Sequence, residues 1–219
     1  CNKSQEYHTV KLYDYDIAPN PRRARMFLAE KGIDNVDIVQ VDLGNKEQLS
    51  ANFREINPSC IVPALALDDG TLITESVAIC RYFEELQPSP PLMGRDAKEK
   101  ALVEMWQRRV ELQGMLPAGD TFRNSGKRWT DRALAGPVNY AQIPELVNRG
   151  RARVEYFLGV LNEQLGVSEF VATETFTIAD ITAFILIEFA GWSKIEIPEE
   201  YGALQRWFQS TKARPSVKV

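Results

Sequence analysis

Thr74-Glu75-Ser76 is the place where residue types and spacing could act on a small charged molecule. Val77, Ile79, Cys80, Phe83 and Leu86 follow at helical spacing, which predicts a helix opening here with Ser76 among the unpartnered N–H groups of its first turn. Such a start attracts a carboxylate, because its free N–H groups and the helix dipole favour negative charge. The same three residues also suit a plain helix cap. Upstream, Val62-Pro63 leads into the apolar run Ala64-Leu65-Ala66-Leu67, which Asp68-Asp69-Gly70 closes as a turn before Thr71-Leu72-Ile73 returns. That is a hairpin. Strand, turn and anion-receiving helix start together read as a ligand cradle.

Other chemistries find less support. The cysteines, at positions 1, 60 and 80, form no Cys-x-x-Cys pair and no even-numbered framework, so reduced thiols are expected. A single histidine, His8, offers neither a metal ligand set nor a Ser-His-Asp triad, and no Gly-x-Gly-x-x-Gly or Walker loop is present. With a net charge of −4 and no Lys/Arg stripe interleaved with aromatics, nucleic acid is not an expected partner. Arg22, Arg23 and Arg25 read as a solvated or interface-facing helix surface. No apolar stretch approaches the roughly 20 residues that span a bilayer, and the start shows no signal-peptide pattern. A soluble, cytoplasmic protein with no membrane partner is expected.

The 219 residues, 44% of them hydrophobic, suffice for one large or two small cores. In the first half, Thr9 to Asp14 reads as a strand, Pro21 to Lys31 as a helix ended by Gly32, and Val36 to Val41 as a second strand. Glu47 to Ile56 reads as a short helix. With the hairpin and the helix from Glu75 to about Gln87, the order is βαβαββα. Pro88-Ser89-Pro90-Pro91 then excludes helix, so the first domain is placed at 1–87, a linker at 88–94 and a second domain at 95–219. That second domain reads as all-α. Leu102, Met105, Arg109, Leu112 and Leu116 share one face of a long segment, with Val103, Trp106 and Val110 beside it. Glu145 to Gln164 is amphipathic, and Ile178 to Ala190, apolar nearly all round, reads as a buried central helix. Thr177 caps that helix, Asp180 stands at its third position, and Phe176 with Ile181 has the spacing of a hydrophobic staple. Asp180 is assigned to folding, worth roughly 1 kcal/mol as a cap residue.

The Val-Pro, hairpin and Glu-Ser arrangement resembles the glutathione-binding half of the cytosolic glutathione S-transferases, of the bacterial theta- and nu-like kind, and the likeness runs through the chain in the family's order. It implies an α/β N-terminal thioredoxin-like domain followed by an all-α helical domain, with glutathione as co-substrate and no metal. By that resemblance Pro63 is cis, and Val62 offers its backbone N–H and C=O to the cysteinyl part of glutathione. Glu75 pairs with the γ-glutamyl ammonium, and Ser76 receives the carboxylate through its hydroxyl and backbone N–H. The Thr-x-x-Asp start at Thr177 is a family feature too. So is a homodimer.

The resemblance implies activation of the glutathione thiol, since the thiolate is the nucleophile. Relatives place a Tyr, Ser or Cys in the loop after the first strand, whereas this chain puts Ala18 at the matching position and Asn20 nearby. Asn20 is the expected catalytic donor, and Asn before Pro21 is also a good helix cap. Tyr13 and Tyr15 are further donors, read as strand residues. Ile61 replaces the Lys or Gln that many relatives use for the glycyl end. Gln48, with Lys46 nearby, is the substitute contact, or else ordinary surface. The electrophile pocket is expected between the domains, its candidates being Met105, Trp106, Arg109, Gln113, Met115, Phe122 and Trp192, with Trp106 and Arg109 chosen. Two functions are weighed. One is a glutathione transferase acting on a small electrophile in detoxification, or reducing a disulfide or peroxide. The other is a non-catalytic glutathione-binding or interaction module.

Overall fold

The computed structural model describes residues 10–219. Thr9, where the first strand was expected to begin, lies outside them with His8 and Cys1. Strand β1 (Lys11–Asp14) leads into helix α1 (Pro19–Lys31) and strand β2 (Asp37–Gln40). Gly32 ends α1 in the left-handed region (φ 67°), where a side chain is disfavoured, and its N–H reaches Ala29 O. The predicted helix over Glu47 to Ile56 divides into a 3-10 turn (Glu47–Leu49) and helix α2 (Ala51–Ile56). The break comes at Ser50, whose extended backbone lets its hydroxyl accept from Phe53 N at 3.2 Å and start a new helix. Strands β3 (Ala64–Ala66) and β4 (Leu72–Thr74) and helix α3 (Ser76–Leu86) complete βαβαββα.

The sheet runs β2-β1-β3-β4, with β1 parallel to β2 and β3 antiparallel to both its neighbours. Leu12 stands opposite Leu65, and both are fully buried beneath Met26 and Phe27 of α1 and Ile79 and Phe83 of α3. This is a thioredoxin-like half, as expected. No helix or strand lies between Leu86 and Ala97, yet the segment is pinned. Lys31, itself buried, donates to Gln87 O at 2.7 Å, and the Glu84 carboxylate accepts from Leu92 N and Met93 N at 3.4 and 3.1 Å.

Helix α4 (Ala97–Arg109) starts at Asp96, whose carboxylate accepts from Glu99 N at 2.9 Å. It passes through a π turn (Val110–Met115) into α5 (Leu116–Ser125). Then follow α6 (Glu145–Val167), α7 (Ile178–Gly191) and α8 (Gly202–Lys212), with 3-10 turns at Lys127–Trp129 and Pro215–Lys218. Val103, Trp106 and Val110 form the buried face, whereas Met105, Leu112 and Leu116 stay about half exposed. Periodicity found both rows without telling which faces the core. Gly150 of α6 lies against α5 so closely that a Cβ would fall 2.6 Å from Pro117 O.

Helix α7 is buried almost all round, and Asp180 explains how it is held. Its carboxylate accepts from Thr177 N and Thr177 Oγ1, each at 3.0 Å, closing the expected cap. It also accepts from Val171 N at 2.9 Å and Trp207 Nε1 at 3.0 Å, tying the preceding loop and α8 to the same anion. Burial pushes this carboxyl up to about 6, against the pull of those donors. A cap alone is worth roughly 1 kcal/mol, but here substitution strands several buried donors at about 1–3 kcal/mol each. Asp180→Ala is therefore expected to lower unfolding stability by about 3 kcal/mol or more, read from urea denaturation; a loss near 1 kcal/mol would reduce Asp180 to a cap.

Candidate functional site

The first turns of α1 and α3 meet, and the residues expected to form the site gather around them. Ala18, extended at φ −76° and ψ 135°, occupies the cap position of α1 and supplies no side-chain acceptor. Asn20 was expected to precede the helix as its cap. Instead the helix starts at Pro19 and Asn20 is its second residue, because Pro19 already has the fixed φ of a first helical position and Pro21 still lies where no N–H is required. The exposed Asn20 side chain is thereby free of capping duty. Its Oδ1 accepts from Arg23 Nη1 at 3.2 Å, and no acceptor among the described residues takes its Nδ2.

Across the gap, Val62-Pro63 is a cis peptide, and β3 follows directly. Buried Asn57 shapes the approach: its Nδ2 donates to Ile61 O at 2.9 Å and its Oδ1 accepts from Ser59 N at 3.1 Å. Among the described residues nothing pairs with the backbone N–H or C=O of Val62. Exposed Glu75, at the cap of α3, is held at φ 69°. A glutamate in this region is strained, and such strain gathers at functional sites. Ser76, first in the helix and buried, donates its hydroxyl proton to Asn20 O at 3.0 Å. That bond commits the Ser76 hydroxyl proton, so the orphan N–H groups of the first turn are the donors left for an anion. Gln48 lies in the 3-10 turn, its Oε1 buried without a partner among the described residues, while Lys46 nearby is exposed. Tyr13 stacks edge-on against Phe53 at 5.8 Å, and Tyr15, just beyond β1, sets its hydroxyl near Gly44.

A cavity of about 300 Å³ opens beside the loop between β1 and α1, lined by Ile17, Pro19, Arg22, Ile185, Glu188, Phe189 and Trp192. Phe122 packs against Phe189 and Trp192 at 5.5 and 5.4 Å, backing its wall. Arg22 pairs with Glu188 and donates to Val217 O at 3.0 Å. Trp106 lies in the core with the Arg109 guanidinium 4.8 Å over its ring, and neither lines this cavity. Of the expected pocket residues, Trp192 lines it. Ile185, Glu188 and Phe189 were missed; the one local signal was Glu188, a lone charge late in an apolar helix. A larger open hollow of about 620 Å³ between the end of α7 and α8 is lined by no residue of α1 or α3.

Family models describe the same layout, the glutathione S-transferase N-terminal domain matching residues 17–86 and the C-terminal domain residues 129–215. The chain is 35% identical over 212 residues to glutathione S-transferase 2 of Saccharomyces cerevisiae, covering 94% of this chain and 87% of that one. The crystal structure of Gtt2 from the same yeast superposes with a TM-score of 0.86 at 34% identity, over 95% of this chain and 98% of the other. A glutathione S-transferase domain-containing protein from Marinobacter aquaeolei VT8 gives 0.87 at 36% identity, over 94% and 99%. The chain belongs to the glutathione S-transferase family, and glutathione transfer is its class of reaction.

The protein's own described thiols stand apart from that reaction. Cys80 is fully buried, and desolvation pushes its thiol up to about 12 although the charge of Arg23 pulls the other way. Cys60, at φ 53°, is buried too, its Sγ 3.5 Å from Pro58 O. Both are expected to resist maleimide in the native protein at about pH 8 and to react once unfolded. Peptide mapping checks this, and rapid native labelling of Cys80 would contradict it.

Proposed function

We propose that glutathione lies between the two helix starts, with its thiol at the first turn of α1 and its γ-glutamyl end at the first turn of α3. The observation that carries this reading is the Ser76 Oγ bond to Asn20 O, which ties the two turns together. Glu75 pairs with the glutamyl ammonium, and the N–H of Ser76 with its neighbours receives the carboxylate. Val62 engages the cysteinyl backbone beside Pro63, and Gln48 stands near the glycyl end. Asn20 donates Nδ2 to the sulfur and stabilises the thiolate, aided by the positive end of α1.

The thiolate then attacks an electrophile held in the cavity behind Ile17 and Trp192. A carbon–sulfur bond forms and the leaving group departs with its electron pair. With a disulfide acceptor, the thiolate attacks one sulfur, the S–S bond breaks and one thiolate leaves; a second glutathione thiolate then attacks the glutathione sulfur of the mixed disulfide, which releases the other thiolate and forms glutathione disulfide. The cavity sets the apolar side chains of Ile17, Ile185, Phe189 and Trp192 beside the paired charges of Arg22 and Glu188, which suits an acceptor that carries a polar group on an apolar body. Trp106 and Arg109 belong to α4 and line no part of this cavity, so they take no direct part in holding the acceptor. A homodimer, a cytoplasmic location and a role in detoxification follow the family's pattern and form part of the same proposal.

Ultraviolet thiolate absorbance of bound glutathione, titrated from about pH 5 to about pH 10, tests the chemistry. The bound thiol is expected to titrate about one unit or more below free glutathione, and Asn20→Ala to restore most of that difference. A bound thiol that titrates like free glutathione would overturn the activation, leaving a binding protein. For the other end, Glu75→Ala/Ser76→Ala is expected to weaken glutathione binding by about tenfold or more in calorimetry, and Gln48→Ala by clearly less. Equal losses would undo the assignment of the glutamyl site.

A further inference from the structure

Arg23 is buried, its side chain 6% exposed, and all three of its nitrogens have acceptors on different elements. Nε donates to Thr182 Oγ1 of α7 at 3.2 Å, Nη2 to Glu111 Oε1 of the π turn at 2.6 Å, and Nη1 to Asn20 Oδ1 at 3.2 Å. The anchors are themselves anchored. Thr182 Oγ1 donates to buried Gln107 Oε1 at 2.9 Å, and Arg108 Nη1 reaches Glu111 Oε2 at 2.9 Å. A guanidinium has donors only, so the amide atom that faces it is oxygen. The Asn20 nitrogen is therefore turned away from Arg23.

We propose that Arg23 is a positioning residue that holds the Asn20 amide with its nitrogen presented to the substrate sulfur. This rests on the reading that Asn20 donates to the thiol. The terminal torsion of an asparagine is broad, so an unheld amide would present its carbonyl to the sulfur as readily as its NH₂. A carbonyl facing a thiolate repels it. Arg23 removes that orientation, because reversing the amide would set NH₂ against the guanidinium. Stability alone gives weak reason for such a group, since a buried ion pair is often matched by apolar packing. Glu111 is the second residue of the π turn, a local departure from α geometry that concentrates at functional positions, and it holds the guanidinium from the helical half. The thiol donor in one half is thus set by an acid in the other.

The test is a double-mutant cycle on the thiolate titration of bound glutathione. Arg23→Lys keeps the charge but loses the planar fork that spans Thr182, Glu111 and Asn20 together. It is expected to lower the thiolate fraction at about pH 6.5 several-fold when Asn20 is present, to change it little in the Asn20→Ala background, and to leave glutathione affinity nearly unchanged. Glu111→Gln, which keeps shape while weakening the anchor, should shift the titration the same way by less, and serves if Arg23→Lys does not fold. A shift with Asn20→Ala but none with either Arg23→Lys or Glu111→Gln would overturn the role of Arg23 and leave Asn20 standing. Equal shifts from Arg23→Lys in both backgrounds would also overturn it, pointing to an effect independent of the amide. No shift with Asn20→Ala itself would remove the underlying reading and this inference with it.

Discussion

Helix α1 can lie between the sheet and the helical half only because each cation it buries meets an anion from another element. Arg25 pairs with Asp14 at the end of β1, Lys31 with Glu84 of α3, and Arg23 with Glu111 of the π turn. Arg22, less buried, takes Glu188 of α7, and Glu30 takes Arg214 near the C-terminal turn at 2.8 and 2.6 Å. Each pair in isolation contributes modest net stability, but loss of one partner leaves a charge in low dielectric at a cost of about 3–5 kcal/mol. The pairs thus act on geometry more than on total stability. They fix the rotation of α1 about its axis, and that rotation decides where its first turn points.

The arginines also mark the limit of what local pattern could say. On sequence they read as a solvated or interface-facing surface, whereas Arg23 and Arg25 are almost wholly buried. Their charge gave no warning, because the neutralising acids lie 11 and 88 residues away for Arg25 and Arg23. The hairpin and the start of α3 were legible, since turn residues and helical spacing are local signals. The cis peptide at Val62-Pro63 came from resemblance, not from any property of a lone Val-Pro pair. Asn20 was legible as a residue of interest, but its place in the helix was not: two prolines within three residues both fit the first turn, and only the fold shows which opens it.

The cavity was less legible for a different reason. Its walls come from the loop before α1 and from the end of α7, which read as buried helix and nothing more. Trp106 and Arg109 attracted attention through residue type, yet an aromatic at helical spacing serves a core as well as a pocket. The π turn adds to the difficulty, because a wider turn shifts every later residue around the helix axis and breaks the 3.6 period on which such readings depend. Asp180 shows the same limit in energy. The sequence discloses a cap, while the loop N–H and the indole that share its carboxylate arrive from outside the local pattern.

On the proposal that Asn20 donates to the sulfur, an amide in place of a hydroxyl changes what the site must supply. Tyrosine and serine can turn their proton toward the sulfur from almost any approach, because a hydroxyl is donor and acceptor on one atom. Asparagine separates the two roles on two atoms, so its usefulness depends on which one faces the substrate. The amide is also neither acid nor base near neutral pH, so it can stabilise a thiolate but cannot collect the proton the thiol releases. The proton must leave to solvent, which the exposed position of Asn20 permits. A donor of this kind therefore asks for two things from the fold: an outside constraint on the amide's sense, and positive potential at the sulfur. The buried guanidinium and the first turn of α1 stand where those two requirements are met.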